Sequence, residues 1–134
     1  MIDFDLETYK KNAFINITRS VREAVQKSGV VNGSVLVYCP HTTAGITITE
    51  SADPDVCADM IEALDSIVPA IKFKHGEGNS PAHLKGILVG NSVTIPIKEN
   101  DICMGIWQGI YFCEFDGPRT RKYSVIISAS RIMR

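Results

Sequence analysis

Ile106-Trp-Gln-Gly-Ile-Tyr-Phe-Cys-Glu-Phe115 and Lys122-Tyr-Ser-Val-Ile-Ile-Ser-Ala-Ser130 flank Asp116-Gly117-Pro118. Both runs are dense in β-branched and aromatic residues, and Asp-Gly-Pro is turn chemistry, so the segment predicts two strands joined as a hairpin. Two strands in succession interrupt the βα alternation that a parallel sheet requires. Just upstream, Val93, Ile95 and Ile97 alternate with Ser92, Thr94 and Pro96. The proline puts that strand at an edge or makes it end there. Ile46-Thr-Ile-Thr49 alternates in the same way, and Val35-Leu-Val-Tyr-Cys39 is a β-rich run after Asn32-Gly33. Phe4 to Tyr9 adds one more strand.

Three helices fill the gaps. Ile17, Val21, Ala24 and Val25 recur at helical spacing from about residue 16 or 18 to Ser28, and Gly29 is a suitable left-handed stop. Asp53 can cap a second helix and Pro54 suits its first position; Val56, Met60, Ile61 and Leu64 form one apolar stripe ending near Pro69. A short third helix begins near Pro81 and carries His83. The order β-α-β-β-α-α-β-β-β predicts an α+β fold, a largely antiparallel sheet covered by two main helices, in a single domain over 1–134. No GxGxxG follows the first strand and no GxxxxGK[ST] loop is present, which argues against a Rossmann or P-loop nucleotide site.

Composition narrows the function classes. The 134 residues can bury a real core without disulfides or metals. Fourteen basic residues face fifteen acidic ones without a Lys/Arg-rich block, so no footprint of a dedicated nucleic-acid binder exists. The longest apolar runs fall far short of the ~20 residues that span a bilayer, so no membrane is expected. The opening Met-Ile-Asp-Phe-Asp-Leu-Glu lacks the layout of a signal peptide. Cys39, Cys57, Cys103 and Cys113 show no CxxC pair, which suits a reducing, cytoplasmic setting.

The three histidines carry the chemistry. His41 opens His-Thr-Thr-Ala-Gly45, and His75 and His83 bracket Gly-Glu-Gly-Asn-Ser-Pro-Ala. Their neighbours are small, hydroxylic, acidic and amide residues, so a single polar site is the leading expectation. Two histidines with a carboxylate, plus a third histidine elsewhere, is the composition of a catalytic metal site with an open position. His41, His75 and His83 are therefore candidate ligands of a divalent ion, zinc first among them. Their spacing matches no compact motif such as HExxH, and a glycine-rich surface loop is the plain alternative.

Glu77 and Asn79 lie between His75 and His83, and Glu77 is a candidate general base. Glu50 closes the Ile-Thr strand beside Asp53, either as a base or as a neighbour of the helix cap. Gln108 sits among Ile, Trp and Tyr and needs a partner if buried, a ligand or merely backbone. Asn91-Ser92, after Gly90, can place an amide and a hydroxyl at the mouth of a site or simply form a turn. Glu114 and Asp116 fall on one face of a strand, and Arg119 and Arg121 can clamp an anion.

Taken in order, His41-Thr-Thr-Ala-Gly-Ile-Thr-Ile-Thr-Glu50, His75-Gly-Glu-Gly-Asn79, Ala82-His83-Leu-Lys and Gly90-Asn-Ser-Val-Thr-Ile-Pro96 closely resemble one family. Gly105-Ile-Trp-Gln-Gly109 and Cys113-Glu-Phe-Asp-Gly-Pro-Arg119 complete the set. This is the YjbQ family, an uncharacterised protein family whose members are called secondary thiamine-phosphate synthases. One departure is Pro81, where many members have an acidic residue before the Ala-His pair.

The resemblance implies an α+β fold, a homotrimer, a polar pocket holding the three histidines, and weak thiamine phosphate synthase activity for some members. In that reaction a thiazole nitrogen attacks a hydroxymethylpyrimidine diphosphate and pyrophosphate leaves. Such chemistry needs cationic neutralisation of the leaving group more than acid–base machinery. The leading expectation is a metal-dependent transferase acting on a small phosphorylated heterocycle. A metal-dependent hydrolase of a phosphorylated metabolite, with Glu77 or Glu50 as base, and a non-catalytic trimeric binding protein are the alternatives.

Overall fold

A computed structural model describes residues 1–131. The chain runs β1 (Ile2–Glu7), β2 (Ala13–Asn16), α1 (Thr18–Ser28), β3 (Gly33–Tyr38), β4 (Ala44–Glu50), α2 (Pro54–Ser66) and α3 (Ser80–Val89). It ends with β5 (Ser92–Lys98), β6 (Asp101–Ile102), β7 (Gln108–Glu114) and β8 (Thr120–Ala129). Every strand pair is antiparallel. The α+β class therefore stands, but the strands divide into two sheets: β1-β8-β3-β5-β6 and β2-β7-β4.

That division corrects the expected hairpin. β7 pairs with β2 and β4, whereas β8 pairs with β1 and β3. The turn between them does not close on itself, because its backbone bonds go elsewhere. Gly117 N–H donates to Lys11 O at 3.1 Å, Thr8 N–H to Arg119 O at 2.9 Å, and Phe115 N–H to Thr43 O at 3.2 Å. Backbone groups must be paired somewhere, and here the segment before β2 and the one before β4 satisfy them. A Cβ on Gly117 would stand 2.2 Å from Lys10 O, so the turn lies directly against that segment. β2, only four residues long, had no readable period.

The main core lies between α1 and the facing strands. Val21 and Val25 of α1 are fully buried against Val35, Val37, Phe112 and Val125. Each such valine contributes roughly 1.5–3 kcal/mol by leaving water. Gly29 ends α1 at φ 72°, the left-handed stop that its lack of a Cβ permits. Asp53 caps α2 by accepting from Asp55 N–H, and Pro54 takes the first turn. The apolar stripe of α2 is only half covered, and Met60 is exposed. Thus α2 flanks the smaller sheet rather than sealing it.

α3 lies closely on β4, which is how His83 reaches the segment after His41. The fit depends on small residues. A Cβ on Gly45 would stand 2.4 Å from Gly90 O and 3.0 Å from Val89 Cγ1, and the same Gly90 O accepts from Ile46 N–H at 3.0 Å. Gly45→Ala should therefore cost about 1–3 kcal/mol through overpacking, measured by chemical denaturation. An unchanged midpoint would show that α3 can shift freely.

Candidate active site

His41, Thr42 and Thr43 lie just before β4, Arg119 and Arg121 at the start of β8, and Asn79 and His83 at the start of α3. These chain ends converge on one polar cleft of about 580 Å³, which Glu77 and Asp116 also line. Segments some 80 residues apart in sequence, from Pro40 to Arg121, thus supply one wall.

His41 is half-buried, its ring edge-on to Phe112 with centroids 6.4 Å apart. Its Nε2 lies 2.9 Å from the N–H and 3.1 Å from the C=O of Lys122. Whichever tautomer is present, Nε2 belongs to the backbone and only Nδ1 is left for a ligand. Burial, then the nearby Arg121 charge, hold its pKa below the ordinary 6.5, which keeps the ring neutral at neutral pH.

His75 and Glu77 ride the irregular segment between α2 and α3. The His75 and His83 rings lie edge to face at 81° with centroids 5.5 Å apart, and His75 Nε2 is 3.8 Å from Glu77 Oε2. The His75–Glu77 pair is largely exposed and adds little stability. Two adjacent imidazoles and a neighbouring carboxylate are donor chemistry that suits a divalent ion. Among the described residues, no three His, Cys, Asp or Glu side chains are close enough to cage one as they stand. The glycines flanking Glu77 leave its backbone free to adjust, Gly78 already at φ 78°.

Asn79 Nδ2 donates to Asp116 Oδ2 at 3.0 Å, and the same oxygen accepts from Arg119 Nη2 at 2.9 Å. Arg119 Nε donates to the Asp116 carbonyl at 3.0 Å. Asp116 therefore aligns both predicted residues on the cleft rim, and Asn79 Oδ1 is left buried with no protein partner.

Glu50 and Gln108 do not reach the cleft in this chain. They pair with each other across β4 and β7, six positions from the Ala44–Glu114 pair that adjoins it. At about 3.4 Å per residue that is roughly 20 Å. Gln108 is exposed and its Oε1 accepts from Gly105 N–H at 2.8 Å, so its partner is a local backbone group. Asn91 lines a smaller adjoining cavity with Ile87 and Gly90 rather than the polar cleft, and it is exposed, as is Ser92.

Sequence reasoning missed how the charges near the turn are shared. Glu114 and Arg121 are both buried and bonded to each other through Nε (2.8 Å) and Nη2. Asp116, expected beside Glu114, faces Arg119 instead. The signal was present in the alternation of β8, where Arg121 has the parity of buried Tyr123 and Val125. Burial raises the thiol pKa of Cys39 and Cys113, so neither is an activated nucleophile.

The family model for UPF0047, YjbQ-like proteins matches residues 2–130. The chain belongs to the YjbQ/UPF0047 family. YjbQ-family relatives include the UPF0047 protein YugU of Bacillus subtilis, 49% identical over 87% of this chain and 89% of its own. A UPF0047 protein of Methanocaldococcus jannaschii is 46% identical over 95% and 93%. Among solved structures, a YjbQ/UPF0047-family protein from Clostridium acetobutylicum superposes with TM-score 0.93 at 51% identity, covering 96% of this chain and 100% of that one. One of unknown function from Sulfolobus solfataricus gives 0.90 at 30% identity, with 96% of each chain covered.

Proposed function

We propose that this YjbQ-family protein is a small transferase acting on a phosphorylated heterocycle, thiamine phosphate formation being the candidate reaction. The observation that carries the reading is the convergence of two guanidinium groups, two histidines and the Asn79 amide on a single polar cleft. In the reaction, the thiazole nitrogen attacks the methylene carbon of the pyrimidine diphosphate, the C–O bond breaks, and pyrophosphate departs with the electron pair. Arg119 and Arg121 face the charge that develops on the leaving oxygen. His41 offers Nδ1 beside them, and Thr42 contributes a hydroxyl on the same wall.

Charge balance supports a divalent cation as cofactor, zinc the first candidate. The ionised side chains lining the cleft are two positive, Arg119 and Arg121, against two negative, Glu77 and Asp116. Glu114 adds a further negative charge behind Arg121. The protein alone thus brings no positive excess to a diphosphate. His41, His75 and His83 would hold the ion, which would supply Lewis-acid neutralisation of the leaving group.

The reading includes a homotrimer, a role for which exposed Ile106 and Trp107 offer apolar surface. It also includes a cytoplasmic setting, consistent with four free cysteines. No described helix is long and apolar enough to cross a membrane.

Pyrophosphate release from the pyrimidine diphosphate, assayed with and without the thiazole phosphate, tests the reaction. Release that requires the thiazole supports the transferase; release without it makes the protein a hydrolase; ligand-induced thermal stabilisation without release makes it a binding protein. Metal content should be about one ion per chain and should vanish in His75→Ala. Metal-free protein after reconstitution would remove the cation from the scheme.

A further inference from the structure

We propose that the residue gripping the ligand's phosphate is Arg121 at the floor of the cleft, with Arg119 secondary on the rim. The inference rests on the reading of the cleft as a phosphate-binding site. Its ground is how the two arginines spend their donors. The Arg121 side chain is only 3% exposed, yet the residue lines the cleft. Its Nε donates to Glu114 Oε1, and its Nη2 donates to Glu114 Oε2 and to Thr43 Oγ1 (2.8 Å) and O (3.2 Å).

The Glu114 carboxylate is in turn saturated. It accepts from Thr8 Oγ1 at 2.7 Å and from the N–H groups of Phe115 and Asp116 at 3.0 and 3.1 Å. It can neither turn away nor act as a base, so it fixes the guanidinium plane.

One donor group is left over. Nη1 of Arg121 has no protein partner among the described residues, and it is not among the buried polar atoms sealed without one. It therefore keeps some accessible surface, and because Arg121 lines the cleft, this is the donor group its fixed guanidinium has left to offer an anion there. Burying a charge pair carries a large desolvation cost, and presenting a rigid, directed guanidinium edge to an anion is a use that can justify it. Arg119 has half its side chain in solvent and gives Nε and Nη2 to Asp116, so its grip is mobile and screened.

The test is calorimetric titration of the full chain with magnesium pyrophosphate. Arg121→Lys keeps the charge but cannot bond Glu114 through two nitrogens and still present a donor outward. It should lose about tenfold or more in affinity, against about two- to threefold for Arg119→Lys. Equal affinity in a folded Arg121→Lys protein, or a larger loss at Arg119, overturns the assignment and leaves the proposed function standing. No binding by the wild type removes both.

Should Arg121→Lys fail to fold, side-chain NMR of the wild type decides. The Arg121 guanidinium resonances should shift on titration, and their failure to move while pyrophosphate binds overturns the proposal.

Discussion

Glu114→Ala should cost about 3–5 kcal/mol of folding stability, the scale of leaving a buried charge without its partner. Glu114 is fully buried, and its removal strands Arg121, the hydroxyl of Thr8 and the N–H groups of Phe115 and Asp116. For a chain of this length the loss corresponds to a fall in melting temperature of roughly 10–20 °C. The double variant Glu114→Met/Arg121→Met should recover much of it, because replacing both partners avoids the unpaired charge.

The sign with pH follows from the carboxyl itself. Burial alone would raise its pKa, but the Arg121, Thr8 and Asp116 hydrogen bonds outweigh burial and hold it below the ordinary 4.5. The unfolded chain therefore binds its proton first. This contribution is fully present above about pH 4.5 and is lost as pH falls through the lower folded value. Denaturation at several pH values checks both parts. A cost below about 1 kcal/mol, the range of exposed pairs, would show that the pair is solvated.

His83→Ala should abolish metal retention while leaving the fold intact. The position is on α3, where alanine is the better helix former, and half-buried His83 makes no side-chain hydrogen bond among the described residues that its loss would leave unpaired in the core. What disappears is the imidazole that meets His75 edge to face at 5.5 Å. Disturbing groups that merely support a ligand costs about 10–100-fold in metal affinity, so removing a ligand should cost at least that. Metal analysis beside circular dichroism checks it. Full occupancy in the variant at equal purity would take His83 out of the ligand set and turn it into an anion-binding or acid–base group.

Much of the fold was legible because its signals are local. The spacing of Val21, Ala24 and Val25 marks the buried face of α1, Gly29 its stop, and Asp53-Pro54 the start of α2. β5 alternates as read, with Ile95 and Ile97 buried and Pro96 outward, but it neither ends at the proline nor forms the sheet edge, since it runs on to Lys98 and the two-residue β6 lies outside it. The site was partly legible for the same reason: His41, Glu77, Asn79 and Arg119 stand in polar, glycine- or proline-punctuated links, with His83 in the first turns of α3, and links at strand and helix ends are where clefts form. Glu50 and Gln108 looked similar, yet the β4–β7 register carries them to the far end of the sheet.

By itself the sequence determined the identity of the longer elements, though not of the short β2 and β6, together with the α+β class and the residue types available for chemistry, since periodicity, caps and turn residues act within a few positions of one another. Only the tertiary structure decided that β7 and β8 part into separate sheets, that Glu114 takes Arg121 and leaves Asp116 to Arg119, and that one cleft gathers residues from 41 to 121. Those outcomes depend on which strand edges and buried charges satisfy each other across the chain. That choice is made by burial and hydrogen-bond completion between segments up to more than a hundred residues apart, and no local window contains it.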